Sequence, residues 1–204
     1  AFSVAVSDGT NNASFREVAG SIKVEGAPQP KNLEDPMPWK ERHVNADGTP
    51  SVKSERFTGP LFAEGVKVDD VKQGQLGNCF LCAAAAAAAH TDPDAIKNMI
   101  KDNGDGTYTV TFKERDYRGT LTDKKITVDG DLYVRANGAA LYGAGMNSSS
   151  KDQMEMWYPI FEKAYAAYKG SYDKIGSGGS TGDALTAILG ARTTYSGVED
   201  YNAD

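Results

Sequence analysis

Two cysteines in 204 residues are too few for a disulfide framework. They stand three apart, as Cys79 and Cys82, which suits neighbours on one helix face rather than a long-range staple. They leave the redox compartment undecided. Histidine is equally scarce, with only His43 and His90, so imidazole chemistry has two possible positions. Positive charge is short as well: 22 Lys and Arg face 28 Asp and Glu, a net charge of −6. That balance argues against nucleic acid or an anionic membrane as the main partner. No apolar run is long and lipophilic enough to span a bilayer, because alanines dominate the longest one. No signal peptide is visible, and the first residue is Ala1 rather than Met, which reads as a processed boundary. The expectation is a soluble chain, cytoplasmic or secreted.

A hydrophobic share of 40% and a charged share of 25% suit one globular domain, or a domain with a tail. The chain is organised around Gln73–Ala89, QGQLGNCFLCAAAAAAA. Leu81, Cys82 and seven alanines are strong helix formers. The glycine-broken loop before them delivers Cys79 to the first turn of that helix. Free backbone N–H groups and the positive end of the helix dipole lie there, surroundings that favour thiolate over thiol. Asn78 is placed to cap the helix. A looped chain can fold Gln73 back beside the sulfur, where its amide would donate to a developing oxyanion. The same spacing also fits a small buried cysteine opening an alanine helix.

Residues 1–56 read as an N-terminal extension or linker. Short strands are expected at Ala1–Val6 and Ser21–Val24, and Asp8-Gly9, Asn11-Asn12, Pro28, Pro30, Pro36, Pro38 and Asp47-Gly48 punctuate the rest. Phe57–Val71 leads into the cysteine loop, anchored by Phe62, Val66, Val68 and Val71. The alanine helix should end near His90. Asp94–Lys101 has the spacing of a short amphipathic helix. Tyr108–Phe112 and Lys125–Val128 read as strands. Asp102 and Asp105 suggest a calcium loop, yet the further ligands of an EF-hand are missing, and a hairpin turn fits better. Ala136–Lys151 reads as a surface loop. Gln153–Lys169 reads as an amphipathic helix with an aromatic core stripe, beginning near Trp157 or Tyr158 because Pro159 must sit in the first turn. Gly170 ends it. Ile175–Thr181 is a glycine-rich loop, and a last helix from Asp183 to Leu189 closes at Gly190.

Gln73, Gly74, Leu76, Gly77, Asn78, Cys79, Phe80 and Leu81 resemble the active-site segment of the calpain family of papain-like cysteine proteases. The family usually has Trp at the position of Phe80 and a hydrophobic residue at that of Cys82. The likeness continues through Glu155-Met156-Trp157, Phe161–Ala166, Gly170-Ser171-Tyr172 and Ser177-Gly178-Gly179, and covers roughly residues 57–195. It implies an α+β fold, mainly helical, with a few short strands: the cysteine-bearing N-terminal lobe of the catalytic core over residues 57–204, in a bacterial member of the family. It also implies that Cys79 is the nucleophile and that Gly178 and Gly179 hydrogen-bond an extended peptide. The family's calcium site in this lobe falls on the carbonyls of Ala63 and Gly65 and the carboxylates of Asp70 and Glu155. Oxygen ligands with two carboxylates suit that hard cation; solvated acids or a surface ion pair are the alternative.

A cysteine protease also needs a base, a role His fills best. His90 lies eleven positions beyond Cys79, about 16 Å along a helix, so it reads as a C-terminal cation. His43 lies in the irregular stretch ahead of the cysteine. In the family the His and the Asn follow the cysteine lobe, so they are expected from residues beyond Asp204 or from a separate chain. The leading expectation is a thiol endopeptidase that is half of a catalytic core and inactive alone, acting on protein or peptide substrates. The alternatives are a non-catalytic module that binds a peptide or partner, and an acyl transferase using the same thiol.

Overall fold

The computed structural model describes residues 30–148 and 150–193. Its elements mix helices and strands without a regular repeat. A single helical turn, α1 (Lys40–His43), precedes the short strand β1 (Ser54–Arg56). The first long helix is α2 (Cys79–Thr91), followed by α3 (Pro93–Met99). Four strands come next: β2 (Ile100–Asp102), β3 (Thr107–Arg115), β4 (Leu121–Asp129) and β5 (Asp131–Tyr133). The chain then closes with α4 (Trp157–Lys169), α5 (Tyr172–Ile175) and α6 (Thr181–Leu189). Strands β2, β3 and β4 form an antiparallel sheet in that order, and β1 pairs antiparallel with β5. This is the mainly helical α+β architecture expected, with few and short strands outside one hairpin.

The alanine run forms its helix for the reason its propensity suggests, and its small side chains have a second use. Leu81, Ala84, Ala85 and Ala88 are fully buried, so a face with almost no side-chain volume lets α6 lie close against α2. The sheet packs its inner face on α4 and α6. Phe112 of β3 is buried there, stacked on Tyr168 at 5.2 Å between ring centroids and edge-on to Tyr165.

Helix α4 begins at Trp157, as the position of Pro159 requires, and ends at Gly170 in the left-handed conformation. It is more buried than a one-sided stripe predicts: every residue from Trp157 to Ala166 is inside, Glu162 and Lys163 included. A helix covered on all sides is central, and here strands, α5 and irregular segments surround it. Its buried charged residues therefore take polar partners inside the fold. Lys163 Nζ meets Asp129 Oδ1 at 2.6 Å and the Asp131 carbonyl at 2.7 Å, and also reaches Asp35.

Several local expectations give way to tertiary structure. Ile100 and Lys101 continue a helical spacing but lie in β2, because Ile100–Asp102 pair with Val110–Tyr108. The turn after them is a hairpin, closed by Asn103 N–H donating to Thr107. Ala140, Leu141 and Tyr142 are buried and not part of a surface loop. Val68 is exposed and anchors nothing, whereas Val66 is buried. Tyr172–Ile175 adds a helical turn between the end of α4 and the glycine-rich loop expected at Ile175–Thr181. Residues 30–56 lie along this body: β1 pairs with β5, Leu33 N–H donates to Asp129 at 2.6 Å, and His43 is buried. The strands expected at Ala1–Val6 and Ser21–Val24 fall outside the described residues.

Candidate functional site

Cys79 is the first residue of α2 and is exposed to solvent. The loop before it is held on both flanks. Lys72 bridges to Ala144, and Gln75 N–H donates to the Leu141 carbonyl at 2.8 Å. On the other side Gly77 pairs with Ser177, and Gly178 N–H donates to the Gly77 carbonyl at 2.9 Å. The approach is possible because Gly77 has no side chain: a Cβ there would stand 2.2 Å from the Gly176 carbonyl oxygen. Gly179 lies over the Phe80 ring, where a Cβ would meet ring carbons at 2.6–2.8 Å. The Gly178-Gly179 loop, a hundred residues away in sequence, is thus seated beside the cysteine turn. Gln73 is in the same loop, and its amide nitrogen donates to the Leu76 carbonyl at 2.7 Å. An amide nitrogen carries two hydrogens, so this bond steadies the group and leaves one N–H to offer.

Asn78 does not cap α2 with its side chain. Its amide donates instead to Glu162 at 2.6 Å, in a fully buried position. The bond to the buried carboxylate turns the Asn78 side chain towards α4, and its oxygen accepts none of the first-turn N–H groups, an outcome no local pattern shows. Glu162 also accepts Gly143 N–H at 2.7 Å and lies 3.5 Å from the Tyr158 hydroxyl. Burial pushes its pKa up to about 7, against the lowering effect of the Asn78, Gly143 and Tyr158 hydrogen bonds. Glu162 therefore ties the residue before Cys79 to α4 and to the 140–145 segment. The apolar spacing of α4 gives Glu162 no role; a Glu one step from the aromatic stripe is the one local signal for it.

Cys82, one turn along α2, is half-buried. Its sulfur lies 2.9 Å from the Tyr158 hydroxyl and 3.8 Å from Asn78 Oδ1, and burial pushes its pKa up to about 11. Neither imidazole contacts Cys79 among the described residues. His43 Nδ1 is 2.9 Å from the Tyr142 hydroxyl, and burial, followed by the charge of Arg42, holds its pKa below the usual value. His90 is exposed in the last turn of α2.

The residues singled out as calcium ligands converge in part. Asp70 and Glu155, distant in sequence, are both buried. Asp70 Oδ2 accepts the Lys67 N–H at 2.7 Å and the Trp157 indole N–H at 2.9 Å. Glu155 Oε1 accepts the Ala63 N–H at 2.9 Å. Burial, reinforced by the adjacent Asp70, pushes the Glu155 pKa up to about 6 against the Ala63 hydrogen bond. Two facing buried carboxylates need either a proton or a cation between them. The nearby Lys67 ammonium is turned to Glu64 at 2.5 Å. Gly65 has a φ of +90° in open space. Among the described residues no three His, Cys, Asp or Glu side chains gather as a metal centre, so a cation here would need backbone carbonyls, as the Ala63 and Gly65 assignment supposes. The donor set fits a hard cation.

A family model described as calpain family cysteine protease matches residues 13–203. Among known proteins, the chain is 30% identical over 175 residues to calpain-5 of Mus musculus, covering 78% of this chain and 26% of that protein. It is 30% identical over 166 residues to the calpain-1 catalytic subunit of Bos taurus, 77% of this chain and 22% of that one. It is 32% identical over 133 residues to the calpain-type cysteine protease DEK1 of Zea mays, 64% of this chain and 6% of that one. The chain thus spans no more than about a quarter of the length of these relatives. They are eukaryotic, and the bacterial source expected from the sequence finds no support among them.

Proposed function

The chain belongs to the calpain family of cysteine proteases, and on that premise we propose that it is the cysteine-bearing lobe of a thiol endopeptidase core. Cys79 attacks the scissile carbonyl of a protein or peptide substrate and forms an acyl-enzyme, which water then hydrolyses. Gln73 donates its second amide N–H to the oxyanion of each tetrahedral intermediate. The backbone of Gly178 and Gly179 lies along the extended substrate beside the scissile bond. The His that takes the thiol proton and returns it to the leaving amine, and the Asn that orients it, come from residues outside this chain or from another chain.

The observation that carries this reading is the exposure of Cys79 at the start of α2, with the Gly178 loop hydrogen-bonded to Gly77 two residues ahead of it. Ala63, Gly65, Asp70 and Glu155 would hold calcium. When bound, the ion would neutralise two buried carboxylates and fix the loop ahead of Cys79 against the start of α4. The bond-making steps belong to Cys79 and Gln73 of this chain together with that His and Asn.

A second reading, a calpain-like module that binds a peptide or partner without cutting, is favoured by one observation: neither His43 nor His90 contacts Cys79 among the described residues. Peptidase assays separate the two. The 204-residue chain alone should show little or no turnover, and a core completed with a His- and Asn-bearing lobe should cleave. In that core Cys79→Ala should abolish cleavage. Gln73→Ala should lower turnover about 100- to 1,000-fold at a near-normal melting temperature. Robust turnover by the chain alone that survives both His43→Ala and His90→Ala would show that the base has been misplaced. A completed core that binds peptide and never cleaves it would favour the binding module.

A further inference from the structure

We propose that Cys79 and Cys82 form a dithiol–disulfide pair, in which Cys82 resolves peroxide-oxidised Cys79 into an intrahelical disulfide. The sequence Cys79-Phe80-Leu81-Cys82 puts two thiols three residues apart at the N-terminus of a 13-residue helix. The two sulfurs are unequally placed: Cys79 is exposed and Cys82 is half-buried. One thiol is therefore open to a small oxidant while the other is shielded from it, the division of labour of an attacking and a resolving cysteine.

The direction of the Cys82 side chain supports the pairing. Helical side chains lean towards the N-terminus, and the Cys82 sulfur reaches back to 3.8 Å from Asn78 Oδ1, the side chain immediately before Cys79. Residues at i and i+3 on a helix have Cβ atoms about 5–6 Å apart. A disulfide needs about 3.5–4.5 Å between Cβ atoms, so the first turn must tighten by about 1.5 Å. Cys79 can supply that movement, because a residue at the first helical position has no intrahelical bond on its own N–H. The bonds that start α2 run from Leu81 N–H and Cys82 N–H to the Asn78 carbonyl.

The chemistry balances with hydrogen peroxide as oxidant. The Cys79 thiolate attacks one peroxide oxygen, the O–O bond breaks, and the departing hydroxide is protonated to water, leaving a sulfenic acid. The Cys82 sulfur then gives up its contact with the Tyr158 hydroxyl and attacks the sulfenic sulfur. The S–O bond breaks, and the hydroxyl leaves with the Cys82 proton as a second water. Two thiols have lost two electrons to the peroxide. A dithiol reductant reverses the result by exchange. If Cys79 is the nucleophile proposed above, the disulfide shuts the enzyme off while keeping its sulfur from irreversible oxidation. The pairing itself does not depend on that reading.

The test needs no peptidase assay. The full chain is treated with stoichiometric peroxide, free thiols are blocked with iodoacetamide, and the tryptic peptide Gln73–Lys97 is weighed. The expected product is an unalkylated peptide about 2 Da lighter than the dithiol form, with both thiols recovered after dithiothreitol. Cys82→Ser should instead accumulate a dimedone-trappable sulfenic acid at Cys79 and then sulfinic acid, and its melting temperature reports whether it is folded. Cys79→Ser should take up little oxidant. Sulfenic or sulfinic acid accumulating in the wild type as in Cys82→Ser, a disulfide joining two chains, or equal oxidation of Cys79→Ser would each overturn the proposal. The wild-type mass decides even if a variant fails to fold.

Discussion

Replacing Glu162 by Gln should change how stability depends on pH more than it changes stability itself. Burial raises the Glu162 pKa from its ordinary 4.5 to about 7. At about 1.4 kcal/mol per unit, the folded protein carries a penalty of about 3 kcal/mol once the group is ionised in both states. Well below pH 4.5 both states hold the proton and the penalty is absent. Between the two values the folded state binds more protons than the unfolded one, so stability falls as pH rises. Above the folded value the penalty is complete. About 2.5 kcal/mol of the change falls between about pH 5 and about pH 8. Gln carries no charge and should remove this slope. It also has one acceptor oxygen where Glu162 offers two, to Asn78 and Gly143. A mismatched donor there costs about 1–3 kcal/mol, but at every pH, so it cancels when the two proteins are compared across pH. Glu155, raised to about 6, and His43, held below its ordinary value, are present in both proteins, so their contributions cancel likewise. Urea unfolding of both proteins at the two pH values gives the number directly. The stability difference should move by about 2–3 kcal/mol in favour of Glu162→Gln at the higher pH, about 1 M in midpoint for a slope of 2–3 kcal/mol/M. An unchanged difference would show that the Asn78 and Gly143 hydrogen bonds hold Glu162 ionised at no penalty, and the reasoning from burial would be wrong.

Lys163→Met should cost about 3–5 kcal/mol, because it takes the closer of two cations from the fully buried Asp129 and leaves only Arg56, at 3.7 Å; a loss under about 1 kcal/mol would mean the Lys163 pair contributes little. Gly179→Ala should cost about 1–3 kcal/mol by driving a methyl into the Phe80 ring, and Phe80→Leu in the same chain should recover part of it in thermal melts. Calcium at a hundredfold excess over its Kd should add about 2.7 kcal/mol relative to chelator, an effect removed by Asp70→Asn or Glu155→Gln. The calcium effect should also grow as pH rises through about 6, where Glu155 gives up its proton; identical melting with calcium and chelator would leave the two acids a proton-sharing pair.

Much of the frame was legible because its signals are local. The alanine run, Pro159 near the start of α4, Gly170 and Gly190 beyond two helix ends, and the Asn103–Gly106 turn each act within a few residues of themselves. What was not legible is decided by partners distant in the chain. Asn78 has the chemistry of a cap, yet a carboxylate 84 positions away takes its amide. Ile100 continues a helical spacing, and the edge of β3 draws it into the sheet. Glu162 and Lys163 look like the solvent side of an amphipathic helix until β4, α5 and the 140–145 segment close over them. The pairing of Asp70 with Glu155 came from family resemblance, since no period connects positions so far apart.

The bridge between Gly77 and Ser177 also bears on the order in which the molecule can be made. Closing a loop of about 100 residues costs about 4 kcal/mol of chain entropy. A ribosome-bound chain that has emerged only as far as α4 already contains Cys79, but it lacks the Ser177–Gly179 segment that flanks it. The thiol is therefore synthesised well before the segment that flanks it. A nascent chain at that length holds an exposed cysteine without this flank, which is built only when the Ser177–Gly179 segment emerges and docks on Gly77.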